Sequence, residues 1–416
     1  MESKSFARKS AIWVSLVCAI GLVCGLAACA PKSNDTAPAP ETKKVVETPA
    51  ANANGIVTAD SWKDIFPDEY GTYKKNSENN APGDYTQLYP QIKVIWEGTP
   101  FSKFYNEPNG HTQSLTDISE TGRNPKTANC LTCKSSEFIL MQDKDPTLNT
   151  SDIKAMLGKV SEPISCYDCH RNDPQAEPVA IRQFFVNAVG KDADKLPKGA
   201  LSCGQCHNEY LFPGANKAAE NPYKSLADAT PDKVLAAENA LGYVDYTNPR
   251  TGTKHLKVQH PEFETNYGGD MSPMAKQGYS CATCHMPPAT DASGAKYASH
   301  TWVSPLENED LLKNDCSKCH KDIKAQVKDI QKTTNDRVNS VGDKLVTLNN
   351  KLADAVASGA KTEDELNAIR DLNRTSQFYW DWVMVENGDG AHNSQLAKKT
   401  LDSSEAAVDQ ALALLG

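Results

Sequence analysis

The hydrophobic pattern changes character at residue 320. Beyond it, Ile323, Val327, Ile330, Val338, Val341, Leu345, Leu348, Leu352 and Val356 recur at helical spacing with polar residues between them. That period places them on one face of an α-helix. Ser358-Gly359 supplies a stop, because glycine accepts the left-handed backbone that ends a helix. Thr362-Glu363-Asp364-Glu365 has the spacing of a capping box and starts a second helix. This runs through Leu366, Ile369, Leu372 and Trp380 to Asn387-Gly388, and a third covers about Ser394–Leu415. The stripe on the first helix has two readings, an internal core or a coiled-coil-like contact between subunits. A helix of more than thirty residues is long for a globular domain, which favours the subunit contact.

Upstream no period persists. Trp62, Phe66, Tyr70, Tyr85, Tyr89 and Trp96 are scattered among Gly, Pro and Asn, which predicts short helices and loops. Ser151–Leu157 and Pro178–Val189 read as short helices, and strand signal is poor. At the N-terminus, Lys4, Arg8 and Lys9 precede an apolar run from Ala11 to Ala28, the pattern of an export signal. The run ends Leu26-Ala27-Ala28-Cys29, as in a lipoprotein signal with Cys29 lipidated; a plain cleaved signal or an uncleaved anchor competes with that reading. From Pro31 to about Asn54 the chain is Pro, Ala, Thr, Asn and charge, a flexible tether. The expected organisation is a lipoprotein-type signal over 1–28, a tether over 29–57, a first folded region over 58–320 and a long-helix region over 321–416.

The chain has 416 residues, a formal charge of −9 and a pI near 5.6, too acidic overall for a nucleic-acid partner. Of thirteen cysteines, Cys18, Cys24 and Cys29 lie in the leader. The other ten form five C-x-x-C motifs: Cys130–Cys133, Cys166–Cys169, Cys203–Cys206, Cys281–Cys284 and Cys316–Cys319. The last four are followed by His170, His207, His285 and His320. C-x-x-C-H attaches c-type haem, with the thiols on the porphyrin and the histidine on iron. A zinc site would need paired knuckles at short separations, which this sequence lacks. The first motif ends in Lys134 instead. A lysine amine binds iron only when neutral, so this is the odd haem, where chemistry happens, and the other four are its electron supply. The 388 residues from Cys29 onward give roughly eighty per motif. With so little protein per porphyrin, haems fill much of the core and lie near one another.

With these motifs in place, residues 58–416 resemble cytochrome c nitrite reductase, the pentahaem ammonia-forming family. The resemblance rests on motif order, with C-x-x-C-K first, and on three further stretches. Cys206-His207-Asn208-Glu209-Tyr210 is similar to the family's C-H-x-E-Y, and Lys257-Val258-Gln259-His260-Pro261-Glu262 to its K-x-Q-H-P-E. Gly110-His111, Thr116-Asp117 and Arg123 resemble its segment before the first haem.

The resemblance implies a mainly α multihaem cytochrome c, with short helices and long loops around five haems, followed by long C-terminal helices. It implies that Lys134 is the proximal ligand of the active-site haem and that Arg123, Tyr210 and His260 line its open face. Glu209, Tyr210, Lys257 and Gln259 would hold calcium beside it. His111, His300 and His392 would be distal ligands of the haems at 203–207, 166–170 and 281–285. The expected partners are nitrite, a membrane-bound quinol-oxidising multihaem cytochrome as donor, and a second copy through the C-terminal helices.

The residue chemistry agrees. Nitrite needs six electrons to become ammonium, and a haem cluster delivers them in succession. An anionic substrate is served by a fixed cation, and Arg123 is always charged. N–O cleavage consumes protons, and His260 and Tyr210 are proton-capable. Glu209 and carbonyl oxygens suit calcium. Taken alone, Arg123 could pair with a haem propionate and His260 could be a distal ligand.

The chain departs from the family where a histidine usually precedes the fourth motif as distal ligand of the last haem. Asp270 to Ser280 has none; Met271 and Met274 are there instead. Met274, at the matching distance, is the expected axial ligand, with Met271 and His255 behind it. The competing functions are an electron carrier with every haem six-coordinate, and a relative acting on hydroxylamine or sulfite.

Overall fold

The computed structural model describes residues 46–78, 83–107 and 109–416. The leader, with Cys29, and most of the proline-rich stretch lie outside the described residues. Packing begins inside the stretch expected to be tether. Asn52 and Asn54 donate through Nδ2 to Glu137 Oε1 at 2.7 and 3.0 Å, and Ile56 and Val57 are buried. These asparagines satisfy a buried carboxylate instead of solvating a linker.

From there to residue 320 the chain is short helices joined by loops. Those that carry or face the motifs are α1 (Ser114–Glu120), α2 (Cys166–His170), α3 (Gln183–Val189), α4 (Lys198–Gly204), α5 (Glu262–Tyr267), α6 (Pro273–Lys276) and α7 (Cys281–His285). The only strands among the described residues form two antiparallel hairpins, Tyr246–Thr247 with Lys254–His255 and Pro288–Thr290 with Lys296–Ala298. The helix expected over Ser151–Leu157 forms over Ile153–Leu157, with Asp152 Oδ1 capping Ala155 N at 2.9 Å. The one expected over Pro178–Val189 forms only from Gln183. The backbone N–H groups of Ile181 and Arg182 donate to Gln205 Oε1, at 2.7 and 3.2 Å, and hold the preceding residues in another conformation.

The C-terminal region is three long helices: α8 (Ile323–Ser358), α9 (Glu363–Met384) and α10 (Ser394–Leu415). Their ends follow the sequence signals except that of α9, which stops at Met384 instead of running to Asn387-Gly388. Asp322 caps α8, Gly359 ends it at φ 63°, and Thr362 and Glu365 form the capping box of α9. Val338, Val341, Leu345, Leu348 and Leu352 are buried and pack on α9, α10 and the Ile92–Ile95 turn. This corrects the subunit-contact reading of the stripe: from Val338 onward it is internal core, because the chain folds its own second and third helices against it. Ile323, Val327 and Ile330, ahead of it, and Val356, at the far end, are half-buried. Gly342 sits at a close approach within the bundle, where a Cβ would lie 3.0 Å from Gln91 Cγ and 3.2 Å from Trp380 Nε1. Trp380 Nε1 donates to Val338 O at 2.8 Å, so the missing side chain lets α9 reach the α8 backbone.

The motif region has only small apolar clusters, one around Phe185, Leu201 and Phe263 and another around Leu131, Phe138 and Met156. Among the described residues no helix is long and apolar enough to cross a membrane.

Candidate active site

Each motif is seated by its own local chemistry. In α2, the Ser165 N–H donates to Asp168 Oδ2 at 2.9 Å. In α7, Ser280 and Thr283 bond reciprocally, backbone to hydroxyl, at 3.0 and 3.1 Å. In these two motifs a middle residue, Asp168 or Thr283, is therefore a capping group.

One buried cation ties three motifs together. Arg182 donates through Nε to Thr132 O and through Nη2 to Asp168 Oδ1, both at 2.8 Å. Gln205 Nε2 donates to Asp168 O at 2.9 Å. Thr132, Asp168 and Gln205 belong to the first, second and third motifs. Sequence reasoning missed this network; its one trace was a polar residue inside each motif.

The ten motif cysteines are free of disulfides, and their thiols meet across motifs. Cys133 lies near Cys206, and Cys203 near Cys281. Cys284 feels the charge of Cys316, and Cys169 that of Cys206. In space the motifs run first, third, fourth, fifth, with the second beside the third.

Histidines pair across gaps of one size. Ring centroids are 6.1 Å apart for His111 and His207, 6.2 Å for His285 and His392, and 6.5 Å for His170 and His300. Two imidazoles on opposite sides of one metal, each bonded at about 2.0 Å, have centroids roughly 6.3 Å apart. The residues fit haem iron between each pair. His207 also faces His260 at 6.0 Å. Trp302, at φ 46°, bridges two pairs, with its ring 4.4 Å from His111 and 5.8 Å from His300.

The fifth motif is less enclosed. His320 Nδ1 meets Gln326 Oε1 at 2.9 Å. Met274 lies on α6 and is 36% exposed. Its turn reaches the fifth motif: the Tyr279 N–H donates to Met274 O at 3.2 Å, and the Tyr279 ring feels Asp315, Lys318 and Cys319. His255 is removed from contention. It is buried in the helical core, stacked 5.1 Å from Tyr246, with Nδ1 3.1 Å from Gln377 Oε1.

Beside the first motif is a cavity of about 300 Å³ lined by Lys134, Arg123, Lys257, Gln259 and His260, with Phe101 and Tyr105. Lys134 is held by its carbonyl, which accepts from Ser114 Oγ on α1 at 2.8 Å. Arg123 lies over the Phe101 ring at 5.0 Å, and its Nε donates to Thr121 Oγ1 at 3.2 Å. Lys257 Nζ lies 5.0 Å from the Tyr105 ring and 5.9 Å from Phe101. Two cations thus flank one aromatic ring on the cavity wall. Burial holds the His260 imidazole down at about 3, so it is neutral at pH 7. Tyr210 is not among the lining residues; it stands edge-on between Phe184 and Phe212.

Behind the cavity, Glu209 is buried, and its Oε2 accepts from Gln259 N at 2.6 Å. Burial, then Glu238 and Glu264, push its carboxyl well above the usual range. The Gln259 amide lies 3.1 Å from Lys257 O. A buried carboxylate next to a side-chain amide and a carbonyl is a set of hard oxygens. It fits calcium.

The fold has a close counterpart. The structure of the catalytic subunit, NrfA, of the cytochrome c nitrite reductase of Desulfovibrio desulfuricans superposes with a TM-score of 0.77 at 25% identity. The match covers 88% of this chain and 87% of that one, and that enzyme carries two calcium sites. The outer cell wall cytochrome OcwA matches at a TM-score of 0.40 and 21% identity, over 77% of this chain and 50% of its own. A profile of the cytochrome c552 family matches residues 58–416, the whole span of the five motifs and the three long helices, and the chain belongs to that family.

Proposed function

We propose that this chain reduces nitrite to ammonium: one nitrite, six electrons and eight protons give one ammonium and two waters. The observation that carries the reading is the cavity where Lys134, of the one motif without a histidine, meets Arg123, Lys257 and His260. The haem at Cys130 and Cys133 would supply an iron with one position open to nitrite, and the other four would supply it with electrons. Arg123 and Lys257 attract and orient the anion. Neutral His260 donates a hydrogen bond to the substrate oxygens without adding charge. Tyr210 acts from behind the wall, through Glu209 and the calcium set it shares with Lys257 and Gln259. His111 with His207, His300 with His170 and His392 with His285 would hold haem iron, in keeping with their ring separations.

Met274 would hold the iron of the fifth-motif haem together with His320; the turn it shares with Tyr279 supports this. Met274→Ala should then abolish the Met/His low-spin signature of one haem, and an unaltered spectrum would remove the assignment.

The protein works exported, tethered through lipidated Cys29 and fed by a membrane quinol-oxidising cytochrome. It pairs with a second copy through α8. Mass spectrometry of the mature N-terminus reads the lipid directly; an unmodified Cys29 rejects the tether.

The deciding experiment supplies reduced viologen and nitrite to the holoprotein and counts ammonium and dye. About six electrons per ammonium are expected. Arg123→Gln should lower kcat/KM for nitrite roughly tenfold to a hundredfold, the worth of one charged hydrogen bond. Negligible turnover with every haem six-coordinate would make the chain an electron carrier.

A further inference from the structure

Seven histidines stand at positions where they could bind iron, and their Nδ1 partners differ. His170 Nδ1 meets Ala176 O at 3.1 Å, His285 meets Val303 O at 3.1 Å, and His300 meets Ala298 O at 2.9 Å. His320 meets a neutral amide, and His111 Nδ1 has no protein partner. His207 Nδ1 is 3.6 Å from Glu262 Oε2, beyond hydrogen-bond range. Among these seven, only His392 is hydrogen-bonded through Nδ1 to a carboxylate, that of Glu386, which is 3% exposed.

The pair is built into the turn between α9 and α10. A Cβ on Gly388 would lie 2.6 Å from His392 Nδ1 and 3.1 Å from Glu386 Oε2, so glycine is what lets ring and carboxylate meet. Asn387 N donates to Glu262 Oε1 at 3.1 Å, and Asn393 Nδ2 to Asp270 O at 2.8 Å. Both bonds fix the turn to the motif region.

An imidazole bonded to metal through Nε2 donates its Nδ1 proton to whatever faces it. A carbonyl leaves the ring an ordinary ligand; a buried carboxylate draws the proton and makes the ring a stronger donor. Stronger donation and adjacent negative charge both favour the ferric state. We propose that Glu386, a positioning residue acting through His392, makes the fourth-motif haem the lowest in potential of the three bis-histidine haems. This rests on the reading that His392 and His285 flank that iron. The fourth motif lies between the third and fifth, so electrons cross this haem without resting on it.

The test is spectropotentiometric titration of the intact holoprotein. Glu386→Gln removes the charge and should shift one low-spin midpoint upward by about tenfold in the reduction equilibrium, ~59 mV for a one-electron couple. Glu386→Asp keeps the charge on a shorter arm and should shift it less, in the same direction, which also covers a Gln variant that fails to accumulate. Midpoints unchanged in both variants overturn the tuning. His392→Ala separates the two ideas. It should create a new high-spin haem; a spectrum still wholly like wild type overturns the ligand reading itself.

Discussion

Glu238 is buried on the helix Pro231–Ala240. Burial first, then the charge of Asp245, push its carboxyl up to about 8, with Arg374 opposing. An unfolded glutamate titrates near 4.3. Between those values the folded chain keeps a proton that the unfolded chain has lost, so stability falls as pH rises across the window. Glu238→Gln should flatten that slope. Thermal unfolding between pH 5 and 8 measures it, and equal slopes in the two proteins would contradict the assignment. Residues of this kind were illegible in the sequence. Lys134 was legible because it breaks a repeat, and Arg123 and His260 because they sit in short motifs. Arg182, Trp302, Glu238 and Glu386 acquire their roles from partners far along the chain, and no local pattern marks them.

At the scale of elements, the long helices were legible almost to their ends, because period, capping box and glycine stop are local signals; α9 alone stops short of its expected end, at Met384. What their apolar face meets was not, since a helix stripe reads the same against its own chain or another. The stripe divides. Its inner part is filled by α9 and α10, while Ile323, Val327 and Ile330 stay half-buried at the start of α8. A second copy held there predicts a dimer by light scattering. Ile330→Asp should shift it to monomer at micromolar concentration without lowering the unfolding temperature of the chain itself. A wild-type monomer, or a dimer indifferent to Ile330→Asp, excludes this contact. In the motif region the helix expected from Pro178 starts late, because Gln205 captures two backbone N–H groups. That capture depends on a residue more than twenty positions away.

For the whole molecule, mainly helical architecture and haem content followed from the motifs, but the spatial order of the motifs did not. The third lies at the centre, touching the first, second and fourth, an arrangement set by the Arg182 network and by packing around prosthetic groups. The same closeness bears on how the protein is made. Thiols from different motifs, Cys133 with Cys206 and Cys203 with Cys281, come within reach of each other in the folded chain. In an oxidising compartment such neighbours form disulfides, and each wrong bond would consume two attachment points. Thioether formation before the fold closes would remove that hazard. The order of assembly thus bears on which partner each thiol finds.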